Sequence, residues 1–222
     1  MKNEVLCSFE WAMQTKPVTE IISLQNVLYS SGVEIKLAVQ EKLRLNDKEL
    51  SVFIVSHGCF SAYRSSDDHH ITTLFSPAVF GLVDAFSMYY NMMKDIGFYI
   101  KAETVCYGLI VPIHVLIEKC DEYHLWHDLT KIMAHRMMTM SVREDEFVGN
   151  NAYSKIRVLL MELRLYPENI RSQINIAEFI QNRTKLSRSR TMGILSRLKE
   201  KKYIGINAGK LTFIGLLPSV FL

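Results

Sequence analysis

At Pro112 the chain changes period, and this change limits the folds open to it. Before Pro112, apolar and polar residues alternate in short runs: Val33, Ile35, Leu37 and Val39, then Leu43 and Leu45 among polar neighbours. Val52 to Val55 is an uninterrupted apolar run, broken at Gly58 and resumed from Phe60 to Tyr63, and Ile71–Phe75, Ile96–Val105 and Tyr107–Val111 follow. Turn-prone residues punctuate them: Asn46-Asp47, Ser65-Ser66-Asp67-Asp68, and then Pro77 and Gly81. Period-two alternation marks strands, and short strands with turns roughly ten residues apart build an antiparallel roll or barrel, not βαβ units. After Pro112, from His114 to Arg143, there is neither Gly nor Pro, and helix formers dominate. Residues 1–30 also read as helical, with Val18, Ile21, Ile22, Leu24, Val27 and Leu28 at helical spacing. The expected class is α+β: an N-terminal β-roll, a long helix over about 114–148, and a helical C-terminal part.

Within the long helix, Trp126, Met133, Met140 and Phe147 fall seven apart, with Thr130, Met137 and Glu144 between them. This is a soft heptad, and two readings stand. The stripe either packs on the protein's own core or forms the seam of a symmetric dimer through Trp126, Met133, Met137 and Met140. Gly149-Asn150-Asn151 ends this helix and caps the next, over 152–165, which Tyr166-Pro167 stops. The domain boundary is expected near Gly149, dividing the chain into 1–149 and 150–222.

The second domain holds the most directive charge pattern. The net charge of the 222-residue chain is only +3. Yet Arg183, Lys185, Arg188, Arg190, Arg197, Lys199, Lys201 and Lys202 stand together against the single acid Glu200. Asn175 is placed to cap a helix from Ile176 to about Asn182, with Ile176, Phe179 and Ile180 on one side. Arg183 to Leu186 reads as a turn. Ser187 is placed to cap a second helix over roughly 188–201, with Thr191, Ile194, Leu195 and Leu198 at core spacing. Tyr203–Ile206 and Lys210–Ile214 then alternate around Asn207-Ala208-Gly209, a hairpin. Helix, turn, helix and hairpin in this order form a winged helix, whose second helix enters the major groove of DNA. The candidate DNA contacts are Arg183, Lys185, Ser187, Arg188, Ser189, Arg190, Arg197, Lys201 and Lys210. Arg188 is the first choice for a base, because arginine pairs bidentately with guanine. A solvated basic face that binds nothing, and RNA in place of DNA, are the competing readings.

The order of β-roll, long helix and winged helix resembles the CRP–FNR superfamily of bacterial transcription regulators over nearly the whole chain. Phe53-Ile54-Val55-Ser56-His57-Gly58 is similar to the family's "YYIVKG" strand. Phe80 to Phe86 falls where nucleotide-binding members carry "FIGELGLF", and Ile100 to Cys106 matches "VRAKTAC". Ser187-Arg188, Ile194-Leu195 and Leu198 fall on the recognition helix "SRETVGRILKML". The second half is most similar to the IprA type of regulator. The residues carrying that likeness are Gly149-Asn150-Asn151, Tyr153, Ile156-Arg157, Arg183-Thr184, Ser187-Arg188-Ser189, Gly209-Lys210-Leu211 and Leu217-Pro218-Ser219. The resemblance implies a homodimeric, DNA-binding transcription regulator that is not an enzyme, with RNA polymerase as a further candidate partner and a stress or redox response as candidate context. A protein-interaction adaptor with a degenerate effector domain, or a haem or redox sensor, is the alternative.

The departures from the family are specific. Its nucleotide-binding members hold the ribose with a Glu and the cyclic phosphate with an Arg-Ser pair. Aligned from Gly81, the Glu position is Leu82; aligned back from Ala102, the Arg-Ser positions are Ile96 and Gly97. Gly81, Leu82, Ile96 and Gly97 thus mark a degenerate effector pocket, since a buried phosphate there has no compensating charge. No cAMP binding and no cofactor are expected. Only Cys7 lies near the N-terminus, where iron–sulfur members cluster their ligands. The family's Glu and second Arg on the recognition helix become Ser189 and Gly193, so its usual half-site does not carry over.

The four cysteines, Cys7, Cys59, Cys106 and Cys120, form no C-x-x-C pair and read as reduced, packed thiols, with Cys59, Cys106 and Cys120 the redox candidates. His57, His69 and His70 are the conceivable haem ligands, and His69-His70 reads as a solvated turn pair. His124, His127 and His135 do not keep the i, i+4 spacing of a zinc pair. There is no nucleophile elbow, no phosphate loop and no metal motif, so no enzyme is expected. No apolar run reaches the roughly 18 residues of a membrane span, and the start lacks signal-peptide features. A cytoplasmic protein is expected.

Overall fold

The computed structural model describes residues 8–45, 49–92, 97–147 and 151–218. Cys7, Asn46-Asp47, Ile96, Gly149-Asn150 and Ser219, singled out above, lie outside the described residues. In chain order the elements are α1 (Ser8–Gln14), α2 (Val18–Leu28), β1 (Val33–Leu37), β2 (Lys42–Leu43), β3 (Ser51–His57), β4 (Cys59–Arg64), β5 (His69–Phe75), β6 (Ala78–Phe80), α3 (Leu82–Tyr89), β7 (Phe98–Ala102) and β8 (Cys106–Pro112). There follow α4 (Ile113–Glu122), α5 (Trp126–Phe147), α6 (Ala152–Arg164), α7 (Glu168–Arg171), α8 (Ile176–Thr184), α9 (Arg188–Glu200), β9 (Ile204–Asn207) and β10 (Lys210–Ile214). They form two compact units: residues 16–136, and residues 137–218 together with 8–15.

The unit of residues 16–136 is the expected antiparallel roll. One sheet runs β1-β8-β3-β6 and the other β2-β7-β4-β5. Strand β3 explains its own apolar run, because it is buried on both faces. Val52 and Ile54 face α2, α3, α4 and the start of α5, where Leu24, Leu28, Ala85, Leu116 and Leu129 pack. Phe53 and Val55 face the roll interior, with Phe60, Ala62, Ile100, Ala102 and Cys106 from the strands around them. Sharing successive residues between opposite faces is the period-two geometry of a strand, and a strand buried twice has no polar alternation to show.

Two expectations about this unit change. The segment after Gly81, to which the sequence pattern assigns no element, forms helix α3, because Leu82, Ala85 and Phe86 come onto one face and join the core. Gly81 opens it with φ at +89°, a conformation that a side chain would strain. The helix expected over about 114–148 is two helices. Its break is a Schellman-type end: His124 takes φ +56°, and the Leu125 N–H donates to the Cys120 carbonyl at 3.0 Å. Leu125 then packs in the same cluster as Cys120, which offsets the unfavourable backbone.

In the second unit, α6 carries a buried carboxylate. Glu162 is 2% exposed. It accepts a hydrogen bond from the Tyr166 hydroxyl at 2.7 Å and lies 3.6 Å from the guanidinium of Arg143 on α5 and 4.0 Å from that of Arg183 on α8. The Arg183 guanidinium in turn sits 3.7 Å from the centre of the Phe179 ring. Phe179 meets Tyr166 edge-on at 5.9 Å, and Tyr166 meets Phe9 of α1 at 5.4 Å. One charge network and one line of rings thus tie α1, α5, α6 and α8 together. Removing one partner of a buried ion pair strands the others. Glu162→Ala is therefore expected to lower unfolding free energy by about 3–5 kcal/mol, and Tyr166→Phe by about 1 kcal/mol, both read from urea melts of the full chain.

Candidate nucleic-acid interface

The helix-turn-helix is set by three local devices. The Asn175 side chain accepts from the Ala177 and Glu178 N–H groups and starts α8. Lys185 stops that helix with φ +56°, its N–H donating to the Gln181 carbonyl. Ser187 then starts α9, its hydroxyl accepting from the Arg190 N–H at 3.3 Å. Each cap satisfies donors that a helix start leaves open. Thr191, Ile194, Leu195 and Leu198 are buried, as their spacing requires. The hairpin of β9 and β10 closes through Ala208 and Gly209, both at positive φ, as a tight hairpin turn requires. The Gly209 carbonyl accepts from the Ile176 N–H at 2.9 Å, so the hairpin tip docks on the start of α8.

With one face of α9 buried, the opposite face can be read from helical geometry. Ser189, Gly193, Ser196 and, in the last turn, Glu200 run along its centre, all exposed. Arg188, Met192 and Lys199 border them on one side, and Arg190, Arg197 and Lys201 on the other, again exposed. Two basic rows flank this strip, whose first turns carry only short side chains, a pattern that fits phosphate walls beside a floor of base edges. A cleft of about 350 Å³ opens between α9 and the start of α6, bordered by Asn151, Tyr153, Arg190, Gly193 and Arg197. Gly193 sits in mid-helix, where glycine costs about 1 kcal/mol relative to alanine. Among the described residues, a Cβ placed on it meets nothing within 4 Å.

Of the sequence-derived contacts, Lys185, Ser187, Arg188, Ser189, Arg190, Arg197, Lys201 and Lys210 are exposed. Arg183 is the exception. It lies on α8, not in a turn, and its side chain is 7% exposed against Glu162 and Phe179. It therefore leaves the set of candidate DNA contacts. The Ser187 hydroxyl is engaged as a cap and lies 3.3 Å from that of Ser189.

The heptad residues divide between core and surface. Met133 packs against the core of residues 16–136, whereas Met137 and Met140 are 67% and 53% exposed. Trp126 is 38% exposed, its indole N–H donating to Asp121 at 2.7 Å. At the positions that the resemblance aligns with an effector pocket, Leu82 is buried in the core, a Cβ on Gly81 would approach the Leu45 side chain to 2.8 Å, and Gly97 adopts φ +70°. In the neighbouring roll interior, Phe60 lies 5.7 Å from Phe80 and 5.9 Å from Phe53.

A family model described as "winged helix-turn-helix DNA binding" matches residues 152–219. Over 209 residues the chain is 27% identical to the "Inhibitor of hydrogen peroxide resistance" of Salmonella typhimurium, covering 93% of this chain and 98% of that protein. Among solved structures, it is similar to the c-di-GMP-responsive global regulator CLP of Xanthomonas campestris, with TM-score 0.69, 12% identity and coverage of 88% and 100% of the two chains. It is also similar to a CRP/FNR-family regulator from Eubacterium rectale, with TM-score 0.65, 16% identity and coverage of 87% and 90%. The fold is that of the CRP/FNR regulators, and the winged helix lies where the sequence pattern placed it.

The described cysteines are packed thiols, as read from the sequence, whereas His69-His70 departs from its expected setting. Cys59, Cys106 and Cys120 are all buried. Burial pushes the Cys106 thiol up, and burial with the Asp121 and Asp128 carboxylates pushes Cys120 up to about 11. Peroxide attacks thiolates that it can reach, and these two are thiols sealed in a core. His69-His70 is not a solvated turn pair: both lie on β5, and His70 is buried, its Nε2 2.9 Å from the Thr73 hydroxyl. Among the described residues no cluster of three or more His, Cys, Asp or Glu could hold a metal, and no helix is long and apolar enough to cross a membrane. In a Cys7→Ser variant, an aromatic disulfide reagent at pH 7 is expected to react slowly with the native protein and fast with all three thiols in guanidinium. Fast reaction of the native protein would contradict this burial.

Proposed function

We propose that this protein is a sequence-specific DNA-binding transcription regulator acting as a homodimer. The observation that carries this reading is the face of α9, with two basic rows, short central residues and an intact capped start, on a winged helix similar to known DNA-binding ones. In this reading Arg188 contacts a base. Lys185, Arg190, Arg197, Lys201 and Lys210 meet phosphates, and Ser187 and Ser189 lie against the backbone and the groove floor. Residues 150–222 bind DNA and residues 1–149 dimerise and carry any effector input. The exposed Met137 and Met140 on α5 support a dimer seam there, since isolated apolar side chains of this size on one helix face gain by mutual burial. The protein is not an enzyme, and RNA polymerase is a further partner.

Neither a cyclic nucleotide nor an iron–sulfur cluster takes part. Leu82 stands where a ribose-binding carboxylate is needed, and aromatic side chains occupy the roll interior beside it. The name of the Salmonella relative points to the response to hydrogen peroxide as the setting. The buried thiols argue that the chain's own Cys59, Cys106 and Cys120 do not sense the oxidant.

Three measurements test this reading. Arg188→Ala is expected to lose discrimination between the preferred and mutated sites by roughly 1–3 kcal/mol, whereas Lys201→Ala weakens all duplexes alike and lowers the salt slope by about one. Gel shifts in which the two variants behave identically would remove the assigned roles. Met137→Glu with Met140→Glu is expected to yield monomers in sedimentation and to cut affinity for a two-half-site duplex by roughly 10²-fold, the loss of a linked second contact. Titration calorimetry with cAMP is expected to show no heat of binding, and micromolar affinity would overturn the effector assignment.

A further inference from the structure

Three methionine side chains stand in the open on one stretch of α5: Met137, Met138 and Met140 are 67%, 52% and 53% exposed. With Met133 they put four of the chain's 11 methionines into residues 133–140. Met133, Met137 and Met140 follow one another at i, i+4 and i+7 and so share a helix face, with Met138 one position round from it. Leucine would serve the helix equally well and would make a firmer apolar seam at such positions. What methionine has and leucine lacks is a sulfur that accepts an oxygen atom. A thioether has no proton to lose, so its reaction depends on access to the sulfur. Access is what the buried thiols of Cys59, Cys106 and Cys120 lack.

We propose that Met137 and Met140 form an oxidation site through which an oxygen-atom donor, hydrogen peroxide or hypochlorous acid, separates the two protomers. The inference rests on the homodimer proposed above and adds the modification that opens it. In the reaction each thioether gains one oxygen and gives up two electrons, while the O–O or O–Cl bond of the donor breaks. Hydrogen peroxide leaves as water, and hypochlorous acid leaves as chloride and a proton. The product sulfoxide is polar where the thioether was apolar, and its oxygen is a strong hydrogen-bond acceptor. That oxygen keeps its water only while the face of α5 is open. Closing the seam again therefore desolvates two such sites on each protomer. Because a closed seam covers these sulfurs, the donor reaches them in separated protomers and holds them apart.

The test treats the full chain with hydrogen peroxide in one arm and hypochlorous acid in the other, then removes the oxidant. Peptide mass spectrometry locates the added oxygens, and sedimentation gives the dimer constant. Met13, Met92 and Met192 are exposed as well, so the double variant Met137→Leu with Met140→Leu keeps them as internal controls. Untreated, the variant is expected to dimerise at least as tightly as the wild type. Oxidation is expected to weaken the wild-type dimer by roughly a hundredfold and that of the variant by less than about twofold. Oxygen addition at Met137 and Met140 is expected to slow as protein concentration rises, and methionine sulfoxide reductases are expected to restore the dimer. The arm that reacts at the lower dose identifies the donor. A wild-type dimer that survives complete oxidation of both residues, an equal loss in the variant, or oxidation indifferent to protein concentration each overturns the inference and leaves the seam in place. If the untreated protein is monomeric at every concentration, the dimer reading falls first and this inference falls with it.

Discussion

The setting of the two helices of the helix-turn-helix depends on a charge pair that never meets the outside. Glu162 on α6 holds the guanidinium of Arg183 on α8 and that of Arg143 on α5, and the Arg183 plane lies on the Phe179 ring. Ion pairs of this kind add little net stability over a well-packed apolar cluster, because both charges lose their water. What they add is geometry. A carboxylate with two guanidinium partners and a tyrosine hydroxyl is satisfied in very few arrangements of its helices. The orientation of α8 is therefore tightly defined, and α9 packs against it through Ile194, Leu195 and Leu198. The rows of arginine and lysine on the far side of α9 inherit that orientation.

The roll illustrates a different use of the same economy of space. Its interior is packed by aromatic and branched side chains from both sheets, and β3 contributes to the cores on both of its faces. A phosphate has to be met by buried charge, and the residues at the family's phosphate and ribose positions are uncharged. A fold similar to that of the c-di-GMP-responsive regulator CLP thus occurs here with Leu82, Ile96 and Gly97 in the sequence at the positions that the resemblance aligns. The fold alone does not carry the ligand.

Much of this is legible in the residues because the signals are local. Asn175 and Ser187 cap as their positions predict, for a cap needs only one side chain and the N–H groups two or three residues on. The core positions of α9 follow from the helical period, and the hairpin follows from Ala208-Gly209. Arg183 is misread from sequence because a basic residue in a basic run looks like its neighbours; Phe179 stands one turn away on the same helix, but only the fold brings Glu162 to it from α6. The break at His124 is invisible for a related reason: no Gly or Pro marks it, and it exists because Leu125 is drawn into a core assembled from α2, α3 and β3. His70 looks polar from its aspartate neighbours, yet strand pairing begins at His69 and turns its ring inward against Tyr63.

The order of strands, helices and hairpin, the caps, and the concentration of positive charge at the second helix were all determined by the chain itself. They depend on periodicity and on contacts spanning a few residues, which the residue order contains directly. Which arginine points inward, where the long helix breaks and which thiols are sealed were decided only by the tertiary structure. Each is set by partners tens of residues away, and burial belongs to the assembled fold, not to any stretch of sequence.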